Sequence, residues 1–231
     1  MTRVSGYVGA VSGTVSVIAV MVGNGLALAG QAGATAGPGL VADLRHQSFV
    51  NSFGVTLEMA GWAALMCFIG YLFTTLRRVE PPDGWWSPVA LSAGVLLVAL
   101  KLGSVAPLMA AWSRRDDLTI PVAKTLSDLG GALFVVSGWA TGLFVATAAA
   151  SAVESRVLPG WLGWFGVLSG LGALVAGTAG VLDPVGYVPI PFLASLLWVL
   201  LTSVVLTARV GRADTVIMTP RATPDGVVAG R

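Results

Sequence analysis

The stretch WLGWFGVLSGLGALVAGTAGVL, residues 161–182, carries no charged side chain. A hydrocarbon core roughly 30 Å thick is crossed by about 20 helical residues, so this length of apolar chain is what one crossing requires. Five more stretches of similar length and character lie near 7–29, 54–76, 88–110, 129–151 and 191–208. Lipid offers no hydrogen-bond partner to a backbone N–H or C=O, so each stretch must satisfy its own backbone as a helix. The expected fold is all-α: a polytopic bundle of six transmembrane helices over residues 1–209. A disordered cytoplasmic tail, 210–231, is expected to follow, with Pro220 and Pro224 among polar and small residues.

Composition supports the same solvent. The chain is 55% hydrophobic and 10% charged, with mean hydropathy +0.85. Soluble domains carry about 25% charged residues, and six nearly uncharged runs would leave a water-soluble globule short of polar surface. The net charge of +2 does not imply nucleic acid, because the basic residues fall at span ends rather than in one patch. Cys67 is the one cysteine, in mid-span, so an intrachain disulfide is excluded and core packing is its expected role. His46 is the one histidine, which excludes a bis-histidine haem within the chain. Arg3, the first apolar run and the Ala27-Leu28-Ala29 and Ala34-Thr35-Ala36 patterns resemble a signal peptide. That run exceeds the usual signal core of about 7–15 residues, so a retained span is expected.

Basic residues set the expected orientation. With the N-terminus inside, the inner segments hold Arg3, Arg77, Arg78, Arg156, Arg209, Arg212, Arg221 and Arg231, against Arg45, Arg114, Arg115 and Lys124 outside. Eight against four places both ends in the cytoplasm; the Arg114-Arg115 pair, beside Asp116 and Asp117, opposes this. Interfacial tryptophans agree with the span ends: Trp85 and Trp86 before span three, Trp112 after it, Trp161 and Trp164 opening span five. Helix starts are expected at Ser87-Pro88, at a capping box Thr125-Leu126-Ser127-Asp128, and at Pro189 and Pro191. Asp183-Pro184 reads as a turn closing span five. In the first outer loop, Phe49 and Phe53 stand four apart, suiting a short interfacial helix or an extension of span two.

A shift of 77 positions lays Gly54 on Gly131, Gly61-Trp62-Ala63 on Gly138-Trp139-Ala140, and Pro82 on Pro159. It also lays Leu91-Ser92 on Leu168-Ser169, Gly103 on Gly180 and Pro107 on Pro184. Hairpin two–three is thus expected to repeat as hairpin four–five, in parallel orientation. The segment Leu158-Pro159-Gly160-Trp161-Leu162-Gly163-Trp164, leading into a glycine-rich span, carries a further likeness. It resembles a group of uncharacterised, actinobacterial-type six-span integral membrane proteins classed as a domain of unknown function. The resemblance implies a membrane fold and the bacterial cytoplasmic membrane; it implies no catalytic residue and no cofactor.

Side chains that can carry chemistry are few. Glu58 and Lys101 lie within spans, at depths of roughly 8 and 13 Å from the outer ends at about 1.5 Å per residue, within reach of each other on adjacent antiparallel helices. A charge at the bilayer centre costs about 2.5–3.5 kcal/mol, so such residues face the bundle interior with a partner. A Glu58–Lys101 pair either fixes helix register or lines a substrate or proton path; Asn24 and Asp128 are expected to join this polar site in the outer half. Motifs Gly9-x-x-x-Gly13, Gly138-x-x-x-Gly142 and Gly166-x-x-x-Gly170 allow close helix approach. The sequence contains no phosphate-binding loop, metal-ligand cluster, serine elbow or paired catalytic carboxylates. The leading expectation is a non-catalytic accessory or regulatory component with an unidentified protein partner or a second copy of itself. The alternative is a small-molecule or ion permease using Glu58, Lys101 and Asn24. An intramembrane enzyme would need Glu58 or His46 as its acid or base.

Overall fold

The computed structural model describes residues 3–183 and 188–217, and these form seven helices with no strand among them. They are α1 (Arg3–Ala27), α2 (Gly37–Arg45), α3 (Phe49–Arg77), α4 (Trp86–Ser113), α5 (Ile120–Ser155), α6 (Gly160–Leu182) and α7 (Ile190–Ile217). All but α2 are long and apolar enough to cross a bilayer. The chain is a multi-pass membrane protein. Six crossings put the described ends of the chain at one end of the bundle, and the α2 loop at the other.

Where helix ends depart from the sequence expectation, a local interaction accounts for it. At 1.5 Å per residue, α5 with its 36 residues is about 54 Å long, well beyond the hydrocarbon thickness. Its first turns, 120–128, were expected outside the helix. Nothing there stops it: Pro121 sits in the first turn, where no N–H is needed. Lys124 pairs with Asp128 at 3.2 Å, one turn on, with both side chains exposed. The capping box expected at Thr125–Asp128 is therefore corrected to mid-helix surface, where the Thr125 hydroxyl donates back to the Pro121 carbonyl at 3.0 Å. Helix α4 likewise begins at Trp86 rather than at a Ser87 cap. Ser87 is buried in the first turn, and the Glu80 carboxylate accepts its N–H at 3.2 Å and its hydroxyl. A carboxylate at a helix N-terminus meets both the orphan donors and the dipole.

The true capping box opens α3. Ser48 accepts from the Asn51 N–H, and the Asn51 amide oxygen accepts from the Ser48 N–H. Asn51 is fully buried, and its amide nitrogen donates to the carbonyls of Ala27 at 2.9 Å and Ala29 at 2.8 Å. One side chain thus starts α3 and meets carbonyls left open at the end of α1. Phe49 and Phe53, stacked at 6.3 Å, belong to this extension of span two. In the same loop the Asp43 carboxylate accepts the N–H groups of Ala32 at 2.9 Å and Ala34 at 2.8 Å. These bonds hold its pKa below the ordinary 3.8. Cys67 is exposed on α3 rather than packed in the core, a correction of its expected role. Helix α7 runs past Arg209 to Ile217, into the stretch expected to be disordered; residues 218–231, like Pro184, lie outside the described residues.

Glycine sets the helix spacing. A Cβ on Gly54 would stand 2.4 Å from the Ala27 nitrogen, and one on Gly23 would stand 2.5 Å from the Glu58 nitrogen. Backbones of α1 and α3 therefore touch. On α5, Gly138 meets Gly177, and Gly142 meets the Gly170 carbonyl, which seats α6. Gly9 and Gly13 accommodate Tyr71 and Phe68, and Gly166 accommodates Trp198, so the three glycine motifs serve packing within the chain. The two hairpins of the expected repeat pack differently. α5 lies close against α6, whereas α3 packs chiefly on α1. The matched tryptophans diverge too: Trp62 is 1% exposed and Trp139 is 45% exposed.

Gly54→Ala is expected to lower the melting temperature in mild detergent by about 5 °C or more, since the added methyl meets backbone that cannot yield. Gly70→Ala, where a Cβ meets nothing within 4 Å, is expected to leave it unchanged or raised. Equal effects from the two would contradict a glycine-dependent α1–α3 contact.

Candidate functional site

Lys101 lies on α4, about 18 Å along the helix from its Ser113 end at 1.5 Å per residue, and is 2% exposed. It is the one charged residue among the described buried ones. Its ammonium makes no hydrogen bond. Instead Nζ stands 3.3 Å from the centre of the Phe134 ring, 4.1 Å from Phe192 and 5.7 Å from Trp62. The rings come from α5, α7 and α3, so the lysine ties four helices together. Phe134 and Phe192 meet edge to face at 5.4 Å, which fixes the wall they form.

Magnitudes explain how an unbonded ammonium is tolerated. Insertion of a charge at mid-bilayer costs about 2.5–3.5 kcal/mol. A desolvated cation over an aromatic face gains about 2 kcal/mol or more. Two close rings therefore roughly offset the cost.

Glu58 does not pair directly with Lys101: no ion pair within 4.0 Å joins them among the described residues. Its Oε1 accepts the Trp62 indole N–H at 3.3 Å, one helical turn away on α3. Trp62 thus stands between the two, with its N–H on the carboxylate and its ring toward the ammonium. The other two candidates are not brought to this place. Asn24 is exposed, because Val20, Gly23 and Ala27 form the buried face of α1 and the next position turns away. Asp128 lies on the exposed start of α5, paired with Lys124. His46 is exposed in the loop after α2, its ring over Gly30, whose φ of 78° is left-handed. Among the described residues no three or more His, Cys, Asp or Glu converge as metal ligands would.

Space around the lysine is unequal. The cavity among Trp62, Leu97, Thr141, Phe144, Phe192 and Ser195 measures about 10 Å³, at the lower limit for a single water. One turn toward the α2 end lies a larger cavity of about 180 Å³, lined by Leu44, Ser104, Pro107, Ser127, Gly130 and Gly131. Ser104 and Gly130–Gly131, which line it, are one turn from Lys101 and Phe134 respectively. The sequence marked Lys101 and Glu58 but not Phe134 or Phe192, since an aromatic residue in a lipid-spanning helix carries no signal of what it faces.

Compared with known proteins, the chain matches no protein-family model, no curated protein and no solved structure.

Lys101→Met keeps the aliphatic stem and removes the charge, so both the insertion cost and the ring attraction vanish. The melting temperature is expected to stay within about 4 °C of wild type. The double exchange Glu58→Lys with Lys101→Glu is expected to lose folded protein, because it sets a carboxylate against the negative faces of the rings. A direct ion pair would give the opposite pattern, with the exchange tolerated.

Proposed function

We propose that the protein is a non-catalytic accessory or regulatory component of the bacterial cytoplasmic membrane, with both chain ends in the cytoplasm. It is grouped here with the actinobacterial-type six-span proteins whose Pro-Gly-Trp-Leu-Gly-Trp hairpin it resembles. The observation that carries this reading is the enclosure of Lys101: a charge walled by three rings, beside a void of about 10 Å³. A substrate or ion path needs room and polar lining at its charged residue; this setting supports a keystone joining α3, α4, α5 and α7. Eight basic residues against four support the orientation.

A permease is the second reading. The cavity of about 180 Å³ favours it, since Ser104 in its lining stands one turn from Lys101 on α4.

Thiol labelling in intact cells separates the two. In a Cys67→Ser background, Ser113→Cys is expected to react with a membrane-impermeant methanethiosulfonate added outside, and Lys101→Cys to remain unmodified. Reaction of Lys101→Cys at a rate approaching that of Ser113→Cys would favour the permease. Failure of Ser113→Cys to react in cells, with reaction after lysis, would reverse the orientation.

A further inference from the structure

At the α2 end of the bundle a second, smaller core stands apart from the main one. Leu40 and Val41 of α2, Ala111 near the end of α4, Leu118 in the α4–α5 turn and Ala123 on α5 bury one another. Leu44 and Leu126 pack against them. The Arg45 guanidinium donates to the Leu118 carbonyl at 2.9 Å, which ties α2 to the turn. Asp43, through its bonds to Ala32 and Ala34, folds the preceding linker back onto α2. On α4 and α5 the buried members of the main core stop at Val98 and Ala140. Gly177 of α6 meets Gly138, and α6 ends soon after at Leu182, so the first turns of α5 rise past its end.

Both helices that join the two cores are weakened at one level. Pro107 lies inside α4 and has no N–H, so the Gly103 carbonyl loses its helical partner one turn on. A bend there breaks no hydrogen bond of the helix. Across from it, Gly130 and Gly131 stand side by side in α5, and a Cβ on Gly130 would approach the Ser104 carbonyl at 3.5 Å, an ordinary contact. A Cβ on Gly103 or Gly131 meets nothing within 4 Å, so close packing does not require glycine there, as it does at Gly54 and Gly142. Between the weak points lies the cavity of about 180 Å³, with Ser104, Pro107, Gly130 and Gly131 on its wall. Leu44 and Leu126 belong both to that wall and to the smaller core. Toward α1 and α3, the same end of α4 rests on Ala27 and Val55 through Val105, Leu108 and Trp112, an apolar contact in which the Trp112 indole N–H is left unbonded.

We propose that α2, the α4–α5 turn and the adjoining ends of α4 and α5 form a cap that rocks as one body, hinged at Gly103–Pro107 and Gly130–Gly131, opening and closing the cavity beneath it. The cavity is the room the motion needs: leaning inward, the cap moves into empty volume rather than into close-packed side chains. A bend of about 20° over the roughly 15 Å from Gly103 to Ser113 carries the tip of α4 about 5 Å. Lys101 and Phe134 lie one turn from the hinge on the side away from α2, so the cap moves over the ring-walled charge and leaves it seated. In an accessory component such a cap is the part a bound partner shifts; in a permease it is a gate.

The test measures distances between paired spin labels on the full chain in lipid nanodiscs, in a Cys67→Ser background. Ala42→Cys on α2 and Val122→Cys on α5 are each paired with Val175→Cys on α6, all at exposed positions. Both pairs are expected to show two distances about 5 Å apart. Ala42→Cys with Val122→Cys, within the cap, and Ile18→Cys with Val175→Cys, within the bundle, are each expected to show one. In Gly103→Ala/Pro107→Ala/Gly131→Ala, where alanine at both glycines has room, the two distances are expected to merge into one. Cap-to-bundle distances as single and narrow as that of the Ile18 pair, a shift confined to the Ala42 pair, a second distance within the cap, or two distances that survive in the triple variant would overturn the proposal. Should the triple variant not fold, the distances in the chain with its hinge intact decide alone.

Discussion

Hydrocarbon offers no hydrogen bond to a polar atom, so every donor, acceptor and charge within these helices must be met by the protein itself. The structure answers that constraint with a few side chains that each serve two helices. Asn51 starts α3 and takes carbonyls at the end of α1. Ser203 of α7 donates to the Ala10 carbonyl and accepts the Thr14 N–H on α1. Trp198 reaches from α7 to the Leu162 carbonyl of α6. Where no partner exists, as at Lys101, aromatic faces take its place. Trp112 Nε1 and Thr202 Oγ1 are also buried without a partner, and nothing in the structure explains them.

Glycine makes these reaches possible. Apolar side chains gain little by leaving lipid for a neighbouring helix, so association depends on close packing and on hydrogen bonds across the interface. Gly23 and Gly54 bring α1 and α3 to backbone contact, and Gly138, Gly142, Gly170 and Gly177 do so for α5 and α6. α5 also packs closely on α4, which carries Phe134 to the lysine on its neighbour. The position of the ammonium among its rings follows from helix spacing set by residues with no side chain.

Much of the architecture was legible in the sequence, because a span must be long and apolar whatever it packs against. Helix ends were less so. Thr125-Leu126-Ser127-Asp128 reads as the start of a helix because it matches a capping box just before the apolar run, yet a helix does not stop where lipid does, and α5 already begins at Ile120. The cap at Ser48 escaped notice because Asn51 stands where a Glu or Gln would signal it. Within the site, Lys101 and Glu58 stood out by charge alone. Their relation did not: Trp62 is one turn from Glu58, but Phe134 and Phe192 come from helices distant in the chain. Asn24 was assigned to the same depth, but the phase of α1 turns it away. Depth follows from counting residues along a helix; facing depends on contacts with the other helices.

The most direct measurement is hydrogen exchange of the protein in lipid nanodiscs, resolved by mass spectrometry. If the bundle is dry and closed around Lys101, amides of 97–105 and 132–141 retain hydrogen for hours, while those of 30–36 and 114–119 exchange within minutes. Exchange of 97–105 as fast as the loops would mean that water reaches the lysine, and would contradict a sealed aromatic enclosure.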